Sequence, residues 1–304
     1  MLPPDNFDPE IGHAETLEPG LRRIVAPNPS PMTYRGTNTY LLGETDVAVI
    51  DPGPDSPGHL EAILTAIEPG QRISHIIVTH THLDHSPLAR PLAARSGAEI
   101  WAFGDATAGR SAVMQELAEA GLMGGGEGVD HGFRPDHTLA DGDVLEGDGW
   151  ALEVLHTPGH IGNHLCLAWG DACLTADHVM GWATSLVSPP DGDLTDFMAS
   201  CEKLAARQWR VFYPGHGAPV SDPNARLDWL VAHRRAREAS ILEALVAGPA
   251  TAEDLARVIY TETPAALLGA ATRNVLAHLV DLTGRGRVAP LGALQAEAQF
   301  ALNL

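Results

Sequence analysis

A strand with the composition of a buried one leads directly into a cluster of metal-binding residue types. Residues 73–79, ISHIIVT, are largely apolar and β-branched, and three histidines and an aspartate follow at once, His80, His82, Asp84 and His85. A lone histidine is ordinarily a hydrogen-bonded residue of the surface or core. Three imidazoles and a carboxylate crowded at a strand end are instead typical of a site for divalent transition metals. The chain must therefore fold so that further ligands reach this strand end.

Strands alternate with helices on both sides of this segment. Apolar strands are predicted over residues 37–43, 46–53, 73–79, 98–103, 150–156, 164–169, 172–175 and 210–215. Apolar residues at helical spacing predict helices over 58–67, 86–95, 106–120 and 194–207, the second capped by Ser86. This order predicts the α/β class, in which sites form outside the carboxyl ends of strands. Residues 1–20 are predicted to be an irregular arm, and 121–137 a mobile glycine-rich insertion that can cover the substrate cleft.

Three more candidate ligands follow other predicted strand ends. His160 lies in the segment LHTPGHIGNH, Asp177 in LTADH and His216 in FYPGHG. Together with the first four residues they make seven nitrogen and oxygen ligands, which is the inventory for two divalent metal ions per chain. We expect Zn²⁺, with Mn²⁺ or Fe²⁺ as the alternatives.

The motifs THTHLDH, TPGHIGNH, TADH and PGHG resemble, in sequence and in order, those of the metallo-β-lactamase superfamily. The resemblance implies an αββα sandwich of two mixed sheets flanked by helices, with a two-metal site at one edge. It implies one ion bound by His80, His82 and His160, a second bound by Asp84, His85 and His216, and Asp177 as the bridge between them.

The resemblance also implies roles for two carboxylates beyond metal binding. Asp51, which ends the segment DVAVID, matches an acidic position that orients a ligand histidine through the other ring N–H. A plain turn at Asp51 is the alternative. The implied reaction is hydrolysis, in which a metal-bound hydroxide attacks an acyl or phosphoryl centre. Asp84 is expected to act catalytically as well, by handling a proton during turnover.

The sequence pattern changes near residue 222. Helices are predicted over 226–246, 251–260 and 263–282, followed by a turn and a strand within 284–291. They predict a small winged-helix-like domain over residues 223–304, after a catalytic domain over 1–222. Its eight arginines are matched by eight carboxylates, whereas a DNA-reading domain is usually clearly basic. DNA binding is therefore not expected, and we favour a domain that shapes the substrate site or forms a homodimer interface.

The segments NPSPMTYRGTNTYLLG and THTHLDHSP, with the C-terminal domain, resemble the β-lactamase-like protein 2 branch over nearly the whole chain. Members of that branch include endoribonucleases that act on single-stranded RNA. Close relatives include hydroxyacylglutathione hydrolases and thioesterases that release polyketides bound to an acyl carrier protein. The resemblance thus implies either a thioester or ester hydrolase or an endoribonuclease.

The charge of the chain favours the small acyl substrate. The formal net charge is −20 and basic residues form no run, and such a surface repels nucleic acid. No apolar run approaches the length of a membrane span, and the acidic, proline-rich N-terminal segment is unlike a signal peptide. We therefore expect a cytoplasmic protein without membrane contact, with single-stranded RNA as the alternative substrate.

The remaining histidines and the cysteines are expected to be structural. His164 is predicted to be structural or to support a ligand, and His178 to be no ligand. Surface positions are predicted for His13, His59, His75, His233 and His278, and loop positions for His131 and His137. The cysteines form no C-x-x-C pair and are expected to be small buried apolar residues, Cys166, Cys173 and Cys201.

Overall fold

Two mixed β-sheets pack face to face in the computed structural model, which describes residues 7–126 and 128–303. The first sheet has its strands in sequence order: β1 (Glu15–Glu18), β2 (Leu21–Val25), β3 (Asn38–Leu42), β4 (Asp46–Ile50), β5 (Arg72–Ile77), β6 (Glu99–Ala102) and β7 (His137–Thr138). The second sheet comprises β8 (Val144–Gly147), β9 (Trp150–His156), β10 (Leu165–Trp169), β11 (Ala172–Ala176) and β12 (Val211–Pro214). Strands β4 to β7 run parallel, as do β11 and β12, and the other neighbours are antiparallel.

The alternation of side chains along the strands explains why both faces of each sheet are apolar. Tyr40 and Leu42 of β3 point into the core between the sheets, while Leu41 packs on the outer face of the first sheet. In β10, Leu167 faces the same core and Cys166 packs on the outer face of the second sheet. Successive residues of a strand point to opposite faces, so a strand covered on both sides has a nearly continuous apolar sequence.

Helices cover both outer faces and complete the predicted αββα arrangement. The first sheet is covered by α1 (Pro57–Thr65) and α2 (Ala89–Ser96), and the second by α4 (Leu194–Ala205) and the start of α5 (Pro223–Leu245). Helix α3 (Ala112–Glu119) packs instead against the C-terminal helices. The predicted fold class is confirmed. None of the described helices is both long and apolar enough to cross a bilayer.

Several predicted elements differ from those observed. The arm predicted over residues 1–20 contains β1, which pairs with β2, while residues 1–6 lie outside the described part. Strands β2, β7 and β8 are also absent from the elements that the sequence predicts. Helix α2 begins at Ala89 rather than near Ser86, because the Ser86 hydroxyl contacts the His82 carbonyl and Asp130 Oδ2 instead of capping the helix. Helix α3 is shorter than predicted, since Ser111 caps it.

The C-terminal region forms the predicted winged-helix-like arrangement. Helix α5 is followed by α6 (Ala252–Ile259), a short 3-10 turn, α7 (Leu268–Gly284) and a hairpin of β13 (Val288–Pro290) and β14 (Phe300–Leu302). The second half of α5 shares a separate apolar core with α6, α7 and the hairpin. Its first half packs on the second sheet through Leu227 and Leu230. The domain limit predicted after residue 222 coincides with Asp222, whose side chain caps α5, and stays a prediction.

Arginines of this C-terminal region hold the irregular loop that joins β11 to α4, hereafter the β11–α4 loop (residues 177–193). Arg226 donates to the carbonyl oxygens of Met180 and Ala183 at 2.8 and 2.7 Å. Arg234, which is 3% exposed, donates to the Ser185 carbonyl. An irregular buried loop has backbone carbonyls without a partner in secondary structure, and guanidinium groups supply the donors.

Replacing Arg234 by methionine should destabilise the protein, because the stem is kept while the donors to the Ser185 carbonyl are lost. We expect the free energy of unfolding to fall by about 1–3 kcal/mol. Arg235→Met is the matched control, since Arg235 is exposed and should change stability by less than about 0.5 kcal/mol. Urea titration of both variants measures the difference, and equal midpoints would contradict this role.

His278, which the sequence placed at the surface, is buried in α7, and neither ring nitrogen has a hydrogen-bond partner among the described residues. Burial, together with nearby Arg234, lowers its pKa to about 3. The unfolded chain takes up this proton near pH 6.5 but the native state does not. His278 therefore leaves the unfolding free energy at its full value above pH 6.5 and lowers it progressively as the pH falls from 6.5 toward 3.

From pH 7 to pH 5, His278 should therefore remove about 2 kcal/mol of unfolding free energy. Over this interval, the unfolding free energy of His278→Leu should therefore fall by about 2 kcal/mol less than that of the wild type. His13→Leu, at an exposed position, is the control and should show the same fall as the wild type. Denaturant titrations at the two pH values make the comparison. An unchanged pH dependence in His278→Leu would show that this imidazole titrates normally in the folded protein.

Candidate metal centre

Four segments that follow strands meet at one edge of the sandwich. The segment after β5 carries His80, His82, Asp84 and His85, and the segment after β9 carries His160. Asp177 follows β11 and His216 follows β12. All seven side chains are buried although all are polar or charged. The structure therefore brings every predicted ligand to one place.

The seven side chains form two groups that share one carboxylate. In each group the candidate ligand atoms lie within 4.8 Å of one another. The first group is His80, His82, His160 and Asp177, and the second is Asp84, His85, Asp177 and His216. This grouping matches the predicted division between two ions, with Asp177 in the bridging position.

In the first group, three ring nitrogens converge toward one point. His82 Nδ1 lies 3.1 Å from His80 Nε2 and 3.0 Å from His160 Nε2. The opposite nitrogen of His160 donates to the Leu186 carbonyl at 2.7 Å, so its Nε2 carries the lone pair. Burial and neighbouring imidazoles lower the pKa of His80 well below its usual value, and that of His82 to about 3. Neutral imidazoles are the form that binds divalent metals.

In the second group, two carboxylates face two imidazoles. His216 Nε2 lies 3.1 Å from Asp84 Oδ2 and 3.3 Å from Asp177 Oδ2, and His85 Nε2 lies 3.5 Å from Asp177 Oδ1. Burial alone would raise the pKa of Asp84 and Asp177, but the imidazoles outweigh it and lower both values. Burial alone would lower the pKa of His216, yet the two carboxylates raise it to about 10.

Unpaired polar atoms test whether this donor set fits a metal. Asp84 Oδ1, His85 Nε2 and Asp177 Oδ1 are buried and have no hydrogen-bond partner among the described residues. Buried polar atoms in proteins are ordinarily paired, and an unpaired one costs free energy. The three atoms belong to the second group, and a cation held there would satisfy all of them. Imidazole nitrogens and carboxylate oxygens are the ligands of zinc and related ions, so the residues fit two divalent metals.

Asp51 orients two candidate ligands at once. His85 Nδ1 donates to Asp51 Oδ2 at 2.9 Å, and Thr79 Oγ1 donates to the same oxygen at 2.7 Å. Thr79 Oγ1 in turn lies 3.0 Å from His80 Nδ1, whose N–H it can accept. The carboxylate thus fixes the ring orientation of one histidine in each group. The predicted orienting role has its geometry here, whereas Thr79 carried no signal in the sequence.

Two further candidate ligands are oriented by hydrogen bonds to backbone carbonyls, which the sequence does not reveal. His216 Nδ1 donates to the Gly36 carbonyl at 3.2 Å, as His160 Nδ1 does to the Leu186 carbonyl. Leu186 follows Ser185, whose carbonyl is held by Arg234. A backbone carbonyl has no sequence signature, so only the folded chain shows this link between the C-terminal helices and His160.

Gly215, directly before His216, is required by close packing. A Cβ atom at this position would lie 2.3 Å from Asp177 Oδ1 and 2.9 Å from His85 Cε1. Any larger residue would push into the shared carboxylate. The segment PGHG therefore supplies a ligand and, immediately before it, the space that the second group needs.

The other histidines lie outside the two groups. The His164 ring is 5.1 Å from that of His80 and bonds Thr157 Oγ1 at 3.0 Å, behind the site. His178 is buried against Phe197. His59, predicted at the surface, is 1% exposed because its Nε2 bonds Thr39 Oγ1 at 2.8 Å under the first sheet. The three cysteines are free and buried, as the sequence analysis expected.

The metal centre opens into a cleft of about 640 Å³ whose walls come from both parts of the chain. The β11–α4 loop contributes Met180, Trp182 and Leu186, and Gly126 of the glycine-rich insertion lies at the rim. That insertion is hydrogen-bonded to the ligand segment, for example from the Leu83 amide to the Gly128 carbonyl at 3.0 Å. The winged-helix region supplies a large part of the lining: Trp229, His233, Arg237, Tyr260, Glu262, Thr263, Pro264, Leu267, Ala270, Ala271 and Asn274.

Comparison with known proteins agrees with this architecture. Residues 32–216 match the metallo-beta-lactamase superfamily, and residues 251–295 match the beta-lactamase associated winged helix domain. A beta-lactamase-like protein 2 homolog of Drosophila melanogaster is 32% identical over 88% of this chain and 88% of its own length. An atrochrysone carboxyl ACP thioesterase of Aspergillus fumigatus is 28% identical over 84% of this chain and 78% of its own length.

Solved structures give the same result for the fold. A beta-lactamase domain protein from Burkholderia ambifaria superposes with a TM-score of 0.80 at 21% identity, over 99% of this chain and 97% of its own. A metallo-beta-lactamase family protein from Thermus thermophilus gives a TM-score of 0.75 at 27% identity, over 95% of this chain and 100% of its own. The chain therefore belongs to the metallo-beta-lactamase superfamily, as an enzyme whose metallo-beta-lactamase domain is followed by a beta-lactamase associated winged helix domain.

Proposed function

We propose that this enzyme is a dinuclear metal hydrolase that cleaves a thioester or a related ester. The observation that carries the proposal is the pair of buried ligand groups that share Asp177 and open into the cleft. One ion would be held by His80, His82 and His160 and the other by Asp84, His85 and His216, with Asp177 available to both. Two such ions supply an activated water at neutral pH and polarise the bond to be cleaved.

The protein's own residues bind, orient and handle protons around that chemistry. Asp51 fixes the rings of His85 and, through Thr79, of His80. Asp84 presents Oδ2 to His216 Nε2, while Oδ1 has no partner among the described residues. A carboxylate that binds an ion through one oxygen keeps its other oxygen for a proton, and on this ground we assign Asp84 as the catalytic proton carrier.

The lining of the cleft supports an acyl substrate over RNA. Arg237 is the one lysine or arginine among the described residues that line the cleft. The other arginines of the winged-helix region near the cleft are turned inward, Arg226 and Arg234 onto carbonyls of the β11–α4 loop. Binding of single-stranded RNA needs several basic contacts along the backbone. One of the similar proteins is named a thioesterase, and we propose a thioester as the substrate for that reason.

Three finer assignments belong to the same proposal. Zn²⁺ is the proposed ion because the donors are imidazole nitrogens and carboxylate oxygens, with Mn²⁺ and Fe²⁺ as alternatives. A cytoplasmic location suits the three free, buried cysteines. A homodimer remains a prediction that sedimentation can test.

Metal analysis tests the site directly. Mass spectrometry of protein purified without added metal should find about two zinc ions per chain. Asp51→Asn should weaken metal retention by about 10–100-fold, because His85 loses its anionic hydrogen-bond acceptor. Asp55→Asn is the control, since Asp55 is exposed. Competition with a chelator measures the affinities, and one iron per chain, or an Asp51→Asn variant that binds like the control, would refute the site.

Substrate class is tested with a panel on the metal-loaded enzyme: an acyl-CoA, an S-acyl glutathione, a lactone and a single-stranded RNA. We expect turnover of at least one thioester, loss of that turnover with chelator, and no RNA cleavage at about 0.15 M salt. The low salt of many assays exaggerates surface electrostatics, so the ionic strength is part of the test. Chelator-sensitive RNA cleavage without thioester turnover would support the endoribonuclease alternative instead.

A further inference from the structure

One face of α5 forms part of the cleft wall. Trp229, His233 and Arg237 are spaced four residues apart, so they lie one above another on the same side of the helix. They extend about 12 Å along its axis. The rings of Trp229 and His233 are stacked with centroids 5.0 Å apart, and the Arg237 guanidinium lies over the Tyr260 ring at 4.6 Å. This wall therefore combines aromatic surface with one cation.

Arg237 differs from the buried or paired arginines Arg226, Arg234 and Arg285 in having no acceptor. Among the described residues it forms no hydrogen bond and no ion pair, and its Nε is buried without a partner. Arg226 and Arg234 donate to backbone carbonyls, and Arg285 pairs with Glu238 and Asp281. Leaving a buried donor unpaired costs free energy. This guanidinium therefore carries a positive charge in the cleft that no described carboxylate pairs with, in a chain whose formal net charge is −20.

The surroundings of Arg237 leave this position open. Glu262 is a carboxylate that lines the same wall, yet within the described structure it forms no ion pair with Arg237. Tyr260 supports the guanidinium from one face and offers no negative charge at neutral pH. Trp229 and Leu267 add apolar surface elsewhere in the cleft lining. The wall thus has room and charge for an anionic group attached to an apolar one.

We propose that this wall is an anion subsite of the substrate cleft, in which Arg237 binds a carboxylate or phosphate carried by the acyl substrate while Trp229 and Leu267 contact its apolar part. The inference rests on the proposed hydrolase function and specifies its substrate class. The substrate is an acyl thioester that bears an anion away from the bond to be cleaved. That anion is either a carboxylate on the acyl group or a phosphate on the thiol arm. Arg237 is a specificity residue and is not assigned to the bond cleavage itself.

Four thioesters separate the two sources of the anion. The acyl group is benzoyl or 4-carboxybenzoyl, and the thiol is N-acetylcysteamine, which is neutral, or 4′-phosphopantetheine. Arg237→Met keeps the apolar stem and removes the charge. For the substrates whose anion uses the subsite, KM should rise about 10–100-fold, as expected for loss of a charged hydrogen bond, while kcat stays within about twofold. The neutral thioester should show no such change.

Two further variants control for structural damage. Arg235→Met, two positions away and exposed, should leave all four KM values unchanged. Arg237→Lys keeps the charge without the planar fork and should recover part of the lost affinity. If Arg237→Met alters kcat and KM equally for charged and neutral substrates, the residue is structural and the subsite is overturned. If it alters none of the four while the wild type turns them over, the subsite is overturned and the hydrolase function stands.

Ligand binding measured without turnover distinguishes a failure of the anion subsite from a failure of the proposed hydrolase function. Terephthalate and free 4′-phosphopantetheine are titrated calorimetrically into the metal-loaded wild type and into Arg237→Met. Weaker binding of either probe to the variant, together with no hydrolysis of any thioester, would support the subsite and refute the thioesterase function. Equal binding of both probes to the two proteins would overturn the subsite. An Arg237→Met defect confined to single-stranded RNA would overturn the acyl substrate class.

Discussion

The Asp177 carboxylate lies between two groups of imidazoles in a region from which solvent is nearly excluded, and its burial sets the conditions for the surrounding fold. A lone buried carboxylate would be strongly destabilising. Here His85 and His216 face it from one group, and His80 and His160 from the other, at 3.3–4.0 Å. With Asp177 itself, these residues come from four different segments after strands. The sandwich is thus required to bring four chain segments to one edge, and Gly215 keeps the space between them.

The winged-helix region uses its charges within the protein. Arg226, Arg234 and Arg273 donate to carbonyls of the β11–α4 loop, and this loop in turn supplies the Leu186 carbonyl that orients His160. A guanidinium offers five donors in a planar fork and can therefore hold carbonyls that no helix or strand satisfies. The C-terminal helices consequently act on the metal centre through a loop they immobilise, and they also form one wall of the cleft. This explains why the region is not basic on its outside.

The sequence predicted which seven residues meet at one edge of the sandwich, and it did so for a physical reason. Each of the seven follows a strand or strand-like segment, and the carboxyl ends of strands in an α/β fold mark where a site forms. Predictions from local sequence were wrong where contacts with residues distant in sequence determine the structure. The hydroxyl of Ser86 contacts the His82 carbonyl and Asp130 instead of capping a helix, and His59 of α1 is buried where it bonds Thr39 of β3. The loop carbonyls that orient His160 and His216, and the position of Arg237 in the cleft, depend on the assembled fold and leave no local pattern.

The negative charge of the chain and an anionic substrate are compatible because charge acts locally at physiological salt. Exposed carboxylates more than about 8 Å from a bound group are largely screened, whereas charges inside a cleft are screened much less. In the cleft, Arg237 and a bound metal centre provide positive potential over a short distance. A small thioester with one added anion can occupy that region alone. An RNA strand would extend beyond it, across a surface whose formal net charge is −20 and whose nearby arginines already donate to internal carbonyls. The same arrangement that attracts a compact anion therefore disfavours a long one.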